Sequence, residues 1–301
     1  MDGIIVVKKE KGFTSFDVVA KMRGICKQKK IGHTGTLDPD ATGVLPVCLG
    51  CATKLCDMLM DTAKVYRATL LLGKITDTQD ITGTVMEEYP VTVSEEEVRT
   101  VTDSFVGIIS QVPPMYSALK VNGKKLCDLA REGVEVERKA REITIEKIEI
   151  EEMRLPEVVM KVTCSKGTYI RTLCHDIGLA LGCGGTMKEL VRLETSGFTY
   201  EQAHTLRELE ALRDAGRLEE ALLPVDVAFA ELPKVHVLEV FRKNADNGNA
   251  MHREQFMWEY ATGNPQRIRV YDASENMFYG IYAYRPEKDD YKPEKMFFYR
   301  R

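Results

Sequence analysis

The amino-acid sequence predicts an α+β fold, with a mixed and largely antiparallel central sheet that is flanked by helices. Strand-like and helix-like segments are interspersed along the 301 residues without a regular β-α-β repeat, which argues against a parallel sheet. Residues 142–151 and 158–164 carry alternating apolar side chains, as an antiparallel pair of strands does. After residue 234 the composition shifts toward aromatic residues and further strand-like segments. We therefore expect one large domain over residues 1–230 and a small β-rich domain over residues 234–301.

The first half of the chain alternates apolar strands with short helices. Thr14 and Asp17 have the three-residue spacing of a capping box, which opens a helix, and Ser94 with Glu97 repeats this pattern. On the predicted strand over residues 65–73, alternate side chains beginning with Tyr66 point to one face. The predicted elements, in chain order, are a strand over residues 4–7, a helix from Thr14, an apolar run over 44–49, a helix over 52–60, the strand over 65–73 and a helix from Ser94 to about Phe105.

The second half of the chain contains the antiparallel pair, a helix and the separate β-rich end. Residues 168–181 have the apolar periodicity of a helix, and a glycine-rich stretch over residues 182–185 ends it. Arg171 therefore lies in the first turn of a helix that follows a glycine, so it projects from a rigid element. Residues 224–233 have the character of a linker, and strand-like segments follow at residues 268–271 and 277–284.

The charge of the chain is unevenly distributed. The formal net charge of −4 argues against indiscriminate binding of nucleic acid. The first 33 residues nevertheless carry eight Lys or Arg and three acidic residues, a net charge of +5 that leaves −9 for the remainder. Lysines in this position suit a surface that follows phosphates, because each neutralised phosphate adds affinity. A solvated helix face is the alternative interpretation of the lysines between residues 21 and 30.

The cysteines and the N-terminus bear on the cellular compartment. No run of eighteen apolar residues is present, and the N-terminus has no cleavage-site pattern, so we expect a cytoplasmic protein. Without a secretion signal, the eight cysteines are expected to be reduced thiols. Cys48 and Cys51 have CxxC spacing, and a thiol or zinc enzyme built on them is one alternative function. A zinc site would need further ligands, for which Cys174 and His175 are the only candidates.

The most constrained segment is the loop over residues 32–43, which reads Gly-His-Thr-Gly-Thr-Leu-Asp-Pro-Asp-Ala-Thr-Gly. Its glycines permit backbone angles that are closed to other residues, and Pro39 restricts the preceding Asp38 to extended conformations. An Asp before a Pro also occurs in ordinary turns. Because this pair lies among three glycines, we expect instead a carboxylate that is held in one orientation.

Residues 32–46 closely resemble the signature of the bacterial tRNA pseudouridine synthases of the TruB family, which modify the uridine at position 55 in the T-loop of tRNA. Other uridine-isomerising families have Arg-Leu-Asp around the aspartate, whereas this chain has Thr-Leu-Asp. Further segments match the family in order at residues 9–15, 66–68 with 77–80, 114–120 and 165–172. The resemblance implies the pseudouridine synthase fold, followed by a small C-terminal domain related to the PUA RNA-binding fold.

Asp38 is, by this resemblance, the essential catalytic group. Conversion of uridine to pseudouridine breaks the bond between N1 and C1′, turns the base and rejoins it through C5. Positive charge develops at C1′, and a carboxylate can stabilise or capture it. The resemblance places Arg171 against Asp38, where it orients the carboxylate, and Tyr66 against the target base, where it assists removal of the C5 proton. Whether Asp38 attacks C1′, attacks the base or removes the C2′ proton stays open.

Three further residues are implied to bind the substrate. His33 enters the space that the extruded uridine leaves, Leu190 lines the site, and Lys9 belongs to the N-terminal lysine motif, although Glu10 stands where the family has proline. The reaction needs no redox change and no group donor, so we expect no cofactor and no metal. The expected partner is the T-stem-loop of tRNA, bound by a monomer that needs neither another protein nor a membrane.

Two related functions are the alternatives to a stand-alone enzyme. One is an RNA-binding or tRNA-folding module whose catalytic motif is idle, and the presence of Asp38, Tyr66 and Arg171 together argues against it. The other is the catalytic subunit of a guide-RNA pseudouridylation particle. The compact chain, which has no long basic extension, favours the bacterial stand-alone enzyme.

Overall fold

The computed structural model describes residues 1–121, 123–259, 263–274 and 277–297. The strands in these ranges are, in chain order, β1 (Gly3–Lys9), β2 (Ile31–His33), β3 (Thr42–Leu49), β4 (Lys64–Leu72), β5 (Lys74–Thr76), β6 (Val85–Glu88), β7 (Gly107–Gln111), β8 (Lys120–Val121), β9 (Lys124–Lys125), β10 (Arg141–Arg154), β11 (Glu157–Cys164), β12 (Gly185–Thr195), β13 (Phe198–Thr199), β14 (Lys234–Val237), β15 (Phe256–Trp258), β16 (Arg267–Asp272), β17 (Phe278–Arg285) and β18 (Asp290–Met296). The α-helices are α1 (Ser15–Ile25), α2 (Cys56–Met60), α3 (Glu95–Asp103), α4 (Leu126–Arg131), α5 (Ile170–Ala180), α6 (Leu206–Asp214) and α7 (Arg242–Asp246).

The central sheet is mixed and mostly antiparallel. Its strand order is β1-β3-β12-β4-β11-β10-β7, with β2 paired to β3 and β13 paired to β12. The pair β10 and β11 is antiparallel, as the alternation in the sequence predicts. Within the described part of the chain, β3 and β12 form the parallel pairing of this sheet, and its other pairings are antiparallel. The predicted α+β class is therefore confirmed.

Helices α1 and α5 begin where the sequence predicts helices and bury their apolar faces. The capping box of α1 is present, since the Thr14 hydroxyl accepts from the backbone N–H of Asp17 and the Asp17 carboxylate accepts from that of Thr14. The buried face of α1 packs with strands β1 and β3 and with α6. Helix α5 packs Leu173 and Ile177 with residues of β4 and β11. In the described ranges, no helix is both long enough and apolar enough to cross a membrane.

Several segments differ from the prediction, and the differences at residues 50–60 and in β12 are the clearest. Residues 52–60 do not form one α-helix, because a 3₁₀ helix at Gly50–Leu55 precedes the short α2. The Thr53 hydroxyl donates to the Gly50 carbonyl three residues earlier (2.8 Å), which suits the tighter turn. Strand β12 was not expected, because its polar residues, such as Lys188 and Glu189, hide the apolar alternation. Its place is fixed by hydrogen bonding to β3 on one side and β4 on the other.

A second sheet follows the linker, with the strand order β15-β14-β16-β17-β18. Its own core includes Val270, Tyr279 and Tyr282, which are fully buried. Ile281 and Phe297 belong instead to an apolar cluster shared with residues of β1 and β3. The predicted β-rich end is therefore present, and its residues 260–262, 275–276 and 298–301 lie outside the described ranges. The division into domains near residue 230 stays a prediction.

Candidate active site

The loop over residues 32–43 connects β2 to β3 and is fixed by contacts with other elements. Leu37 is buried in the core, and its backbone N–H donates to the hydroxyl of Ser15 (2.9 Å) at the start of α1. A turn closes at Asp38, whose carbonyl accepts from the backbone N–H of Ala41 (3.1 Å). The loop therefore presents the Asp38 side chain from a fixed backbone.

Lys9 supports this loop from inside the protein. Its side chain is fully buried, and Nζ donates to the carbonyls of Glu10 (3.1 Å), Pro39 (2.9 Å) and Ala41 (2.6 Å). Burial lowers the pKa of Lys9 to about 8, while the Asp38 carboxylate acts in the opposite direction. The buried ammonium already donates to three carbonyls, so Lys9 supports the backbone of the loop. That Lys9 binds substrate stays a prediction.

Arg171 forms a two-point ion pair with Asp38. Nε of Arg171 lies 3.0 Å from Oδ2 of Asp38, and Nη2 donates to Oδ1 at 3.3 Å. As predicted, Arg171 lies in the first turn of α5. The arginine side chain is 6% exposed, whereas that of Asp38 is 40% exposed. The guanidinium thus fixes the direction of the carboxylate while part of it stays open to solvent.

Other groups hold Arg171 in place from two further segments. Nη2 donates to the Tyr116 carbonyl (2.7 Å) and Nη1 to the Thr78 carbonyl (3.2 Å), and Nη1 also lies 3.4 Å from Oδ2 of Asp80. The side chain of Asp80 is 15% exposed. Sequence reasoning missed Asp80, although the stretch over residues 77–80 matches the family. That stretch contains two aspartates, and nothing in the sequence indicates which of them faces the arginine.

The pKa of Asp38 lies above its ordinary value. Partial burial raises it, the Arg171 guanidinium opposes this rise, and the Asp80 carboxylate adds to it. Because the side chain is 40% exposed and pairs with Arg171 at two points, we expect an ionised carboxylate at neutral pH. Such a group is able to stabilise a developing cation or to attack an electrophilic carbon.

Tyr66 and Leu190 lie on neighbouring strands beside Leu37, the residue before Asp38. Strands β4 and β12 pair antiparallel, with Leu190 opposite Ala68 two residues after Tyr66. Both side chains are buried, at 8% and 9% exposure, and both belong to the apolar cluster that contains Leu37. Burial raises the pKa of the Tyr66 phenol. The two side chains thus belong to the apolar cluster behind the loop, and the charge of Asp38 adds to the raised pKa of the Tyr66 phenol.

His33 lies at the end of β2, five residues before Asp38. Its side chain is half-buried, and Nδ1 accepts from the backbone N–H of Gly35 (3.3 Å). Burial lowers the pKa of His33, and the nearby charge of Arg192 lowers it further, so the imidazole is neutral at pH 7. A neutral ring at the entrance of the loop suits stacking on a base.

The cysteines with CxxC spacing are buried. Cys48 lies in β3, Cys51 lies in the following 3₁₀ helix, and both are free thiols. Burial raises the pKa of Cys51 to about 11, so its thiol is a poor nucleophile. No group of three or more His, Cys, Asp or Glu that could hold a metal ion occurs in the described ranges.

Comparison with known proteins places two adjacent stretches of the chain in related families. Residues 23–170 match the family described as TruB family pseudouridylate synthase (N terminal domain), and residues 171–230 match the tRNA pseudouridylate synthase B C-terminal domain. Strand β12 of the second stretch pairs with β3 and β4 of the first. The two stretches therefore contribute to one sheet.

The most informative relatives cover nearly the whole chain. The tRNA pseudouridine synthase B of Lachnoclostridium phytofermentans is 55% identical over 99% of this chain and 100% of its own length. That of Alkaliphilus oremlandii is 46% identical over 93% of each chain. Among solved structures, a chain of an H/ACA RNP bound to a substrate RNA containing 2′-deoxyuridine has a TM-score of 0.75 at 25% identity. The match covers 99% of this chain and 86% of the chain in that structure. A Cbf5-Nop10-Gar1 complex has a TM-score of 0.75 at 28% identity, with 98% and 85% covered. The chain belongs to the TruB family of pseudouridylate synthases.

Proposed function

We propose that this protein converts a uridine of tRNA to pseudouridine and that Asp38 is the group that acts on the nucleotide. The observation that carries this proposal is the two-point pair between Asp38 and Arg171, which leaves the carboxylate partly open to solvent. The 55% identity to a tRNA pseudouridine synthase B over 99% of the chain supports the same reaction.

Asp38, Leu190 and Tyr66 serve three different steps of the proposed reaction: cleavage of the glycosidic bond, rotation of the base and removal of the C5 proton. The glycosidic bond breaks as positive charge develops at C1′, and the Asp38 carboxylate stabilises or captures this carbon. Leu190 and Tyr66 offer the detached base an apolar wall on which it turns while water is excluded. The Tyr66 hydroxyl is the nearby group able to take the C5 proton once the base has rejoined.

We propose the T-stem-loop of tRNA as the substrate, with the uridine at position 55 as the target. Exposed cations occur along α1 and in the turns before and after it, and Phe16 on the same helix is 64% exposed. The exposed cations are Lys11, Lys21, Arg23, Lys27, Lys29 and Lys30. Because α1 also supplies Ser15, which binds the loop at Leu37, this basic surface adjoins the proposed site.

We further propose that the chain acts by itself, in the compartment where tRNA is modified, the cytoplasm. The similar structures from RNP complexes raise the alternative that it requires a guide RNA or protein subunits. A stand-alone enzyme has to hold its substrate with its own surface, and the exposed cations around α1 support this proposal.

The test uses the purified chain alone with an unmodified tRNA and with a T-stem-loop. Mass spectrometry of the digested RNA locates any pseudouridine. We expect conversion at position 55 in both RNAs without guide RNA or another protein. An RNA that is bound but unchanged would indicate an idle module, and conversion only after addition of a guide would indicate a particle subunit.

The matched variants are Asp38→Asn and Asp40→Asn. Both remove one carboxylate from the same loop, and the side chain of Asp40 is 50% exposed. We expect Asp38→Asn to bind RNA normally and to lose at least about 10²-fold in turnover, and Asp40→Asn to stay active. Similar losses in both variants would refute the role of Asp38.

A further inference from the structure

Arg192 is a buried cation that has no part in the proposed roles of Asp38, Tyr66 and Leu190. It lies on β12 and is 1% exposed. Within the described ranges, no carboxylate lies within ion-pair distance of its guanidinium, whose Nε donates to the Val44 carbonyl (2.8 Å). Burying a charge without a counter-ion lowers the stability of the fold. We therefore looked for a neighbouring group whose ionised form the guanidinium stabilises.

The group that faces Arg192 is the phenol of Tyr66. The two residues are directly opposite each other in the antiparallel pairing of β12 with β4, so their side chains emerge on the same face. The charge of Arg192 lowers the pKa of the Tyr66 phenol, and Nη2 donates to the Gly35 carbonyl (3.4 Å) in the loop that carries Asp38. Arg192 thus adjoins both Tyr66 and this loop.

The other charges nearby do not replace this interaction. Burial, the Cys164 thiol and the Asp38 carboxylate all raise the pKa of Tyr66, whereas Arg192 lowers it through its charge. The other groups whose pKa values the charge of Arg192 lowers are two cations and a histidine, namely Lys9, Lys64 and His33. Among the described residues, Arg192 is therefore the group that stabilises the ionised form of the Tyr66 phenol.

We propose that Arg192 is a positioning residue that holds the Tyr66 oxygen at the target base and stabilises its phenolate as the base that removes the C5 proton. This inference rests on the proposed function. It assigns to a residue of the unpredicted strand β12 a role in the last step of the reaction, after Asp38 has acted.

When the base has rejoined through C5, this carbon carries both the ribose and its original hydrogen. The phenolate, formed by loss of the phenol proton to solvent, takes that hydrogen as a proton. The electron pair of the C5–H bond becomes the C5–C6 double bond, the C6–N1 double bond shifts its pair to N1, and N1 takes a proton from water.

The experiment compares Arg192→Met with the wild-type protein on two stem-loops. In the first, the target uridine carries deuterium at C5. We expect Arg192→Met to slow conversion by about 10²-fold and to show a primary isotope effect that the wild type lacks, because proton removal becomes rate-limiting. The pH at which the rate rises should also shift upward, since the phenol loses its cation.

The second stem-loop carries 5-fluorouridine, which has no C5 proton to lose. We expect Arg192→Met to cleave and rejoin this base at a rate close to that of the wild type, whereas Asp38→Asn should do neither. Equal slowing of both substrates by Arg192→Met would overturn the proposal, because the arginine would then act through the loop. A wild-type protein that converts no uridine would instead refute the proposed function itself.

A control and a second variant keep the test decisive if Arg192→Met fails to fold. Lys64→Met removes another buried cation, whose Nζ binds the carbonyls of Met60 (2.8 Å) and Thr62 (2.5 Å), and should show no isotope effect. Arg192→Lys retains the charge and should be slowed less than Arg192→Met. In a Tyr66→Phe background Arg192→Lys should have no further effect, since the hydroxyl through which it acts is absent. Full additivity of the two changes would contradict the proposal.

Discussion

Asp38 shares its arginine with a second carboxylate. Arg171 contacts Asp38 at 3.0 Å and Asp80 at 3.4 Å, and Asp80 is the more buried of the two aspartates. Two carboxylates around one guanidinium repel each other, and the charge of Asp80 raises the pKa of Asp38. The arrangement fixes the direction of Asp38 without neutralising it completely, which keeps the carboxylate available to a substrate.

The raised pKa of Asp38 predicts how the rate depends on pH. In the proposed reaction only the ionised form of Asp38 acts at C1′, so turnover should fall as the pH falls through this pKa. Because burial raises the pKa, the midpoint of the loss should lie above 3.8. Single-turnover rates over about pH 4–8 measure it. A rate that is unchanged down to the ordinary carboxyl range would contradict the assignment.

Asp80→Asn tests the second carboxylate. Without the charge of Asp80, Asp38 is the remaining carboxylate that pairs with Arg171, and the guanidinium is held less firmly. We therefore expect turnover to fall by about 10- to 100-fold while RNA affinity is unchanged. The midpoint of the acid loss should move to lower pH, because one repulsive charge is gone. Glu151→Gln is the control, since Glu151 is the partner of the exposed Arg67 (2.6 Å). A similar fall in both variants would exclude a specific role for Asp80.

At the scale of the elements, the catalytic loop depends on parts of the chain that are far apart in sequence. Lys9 at the end of β1, Ser15 at the start of α1 and Arg192 on β12 all bond to its backbone. Where the loop enters β3, the parallel pairing to β12 brings Gly43 opposite Arg192. The position of the Asp38 carboxylate is thus a property of the junction between β3 and β12.

Gly43→Ala tests this junction. Gly43 has φ of +109°, and a Cβ added there would overlap the backbone of Arg192. We expect the free energy of unfolding to fall by at least about 3 kcal/mol, from the strained angle and the clash together. Gly12→Ala is the matched control, because Gly12 also has a positive φ (+85°) but open space around it. Chemical denaturation measures both, and an equal loss in the two variants would contradict the close approach.

At the scale of the whole molecule, the two sheets are joined by an apolar cluster. Ile281 and Phe297 of the second sheet and its end pack with Ile4 and Val6 of β1. The Phe297 ring stacks on that of Phe278 at 5.5 Å. Strand β1, whose Lys9 supports the loop that carries Asp38, therefore packs against the C-terminal sheet through Ile4 and Val6, and the stability of the two parts is linked.

Phe297→Ala should reveal this link. Phe297 is 5% exposed, so we expect its truncation to lower the free energy of unfolding by about 3 kcal/mol. Met257→Ala, at a residue of the same sheet that is 51% exposed, should change it by less than about 0.5 kcal/mol. Thermal unfolding followed by circular dichroism compares them. Loss of stability confined to the C-terminal sheet, with an unchanged transition of the central sheet, would show that the two parts unfold independently.

The sequence by itself determined the class of the fold and most of the chemistry-bearing residues. The capping box of α1, the pair β10 and β11, and Arg171 in the first turn of α5 all follow from local patterns, because caps, alternation and helical periodicity involve neighbouring residues. The loop around Asp38 is likewise a local signal of glycines and proline.

Only the tertiary structure decided which of these residues meet and what each contributes. Lys9 proved to be buried beneath the loop, Asp80 to share Arg171, and Arg192 to face Tyr66 from a strand that the sequence did not predict. No local pattern indicates such contacts, because they depend on the register of strands distant in sequence. The energetic role of a charged residue is set by burial and by its partners, and both of these come from the folded chain.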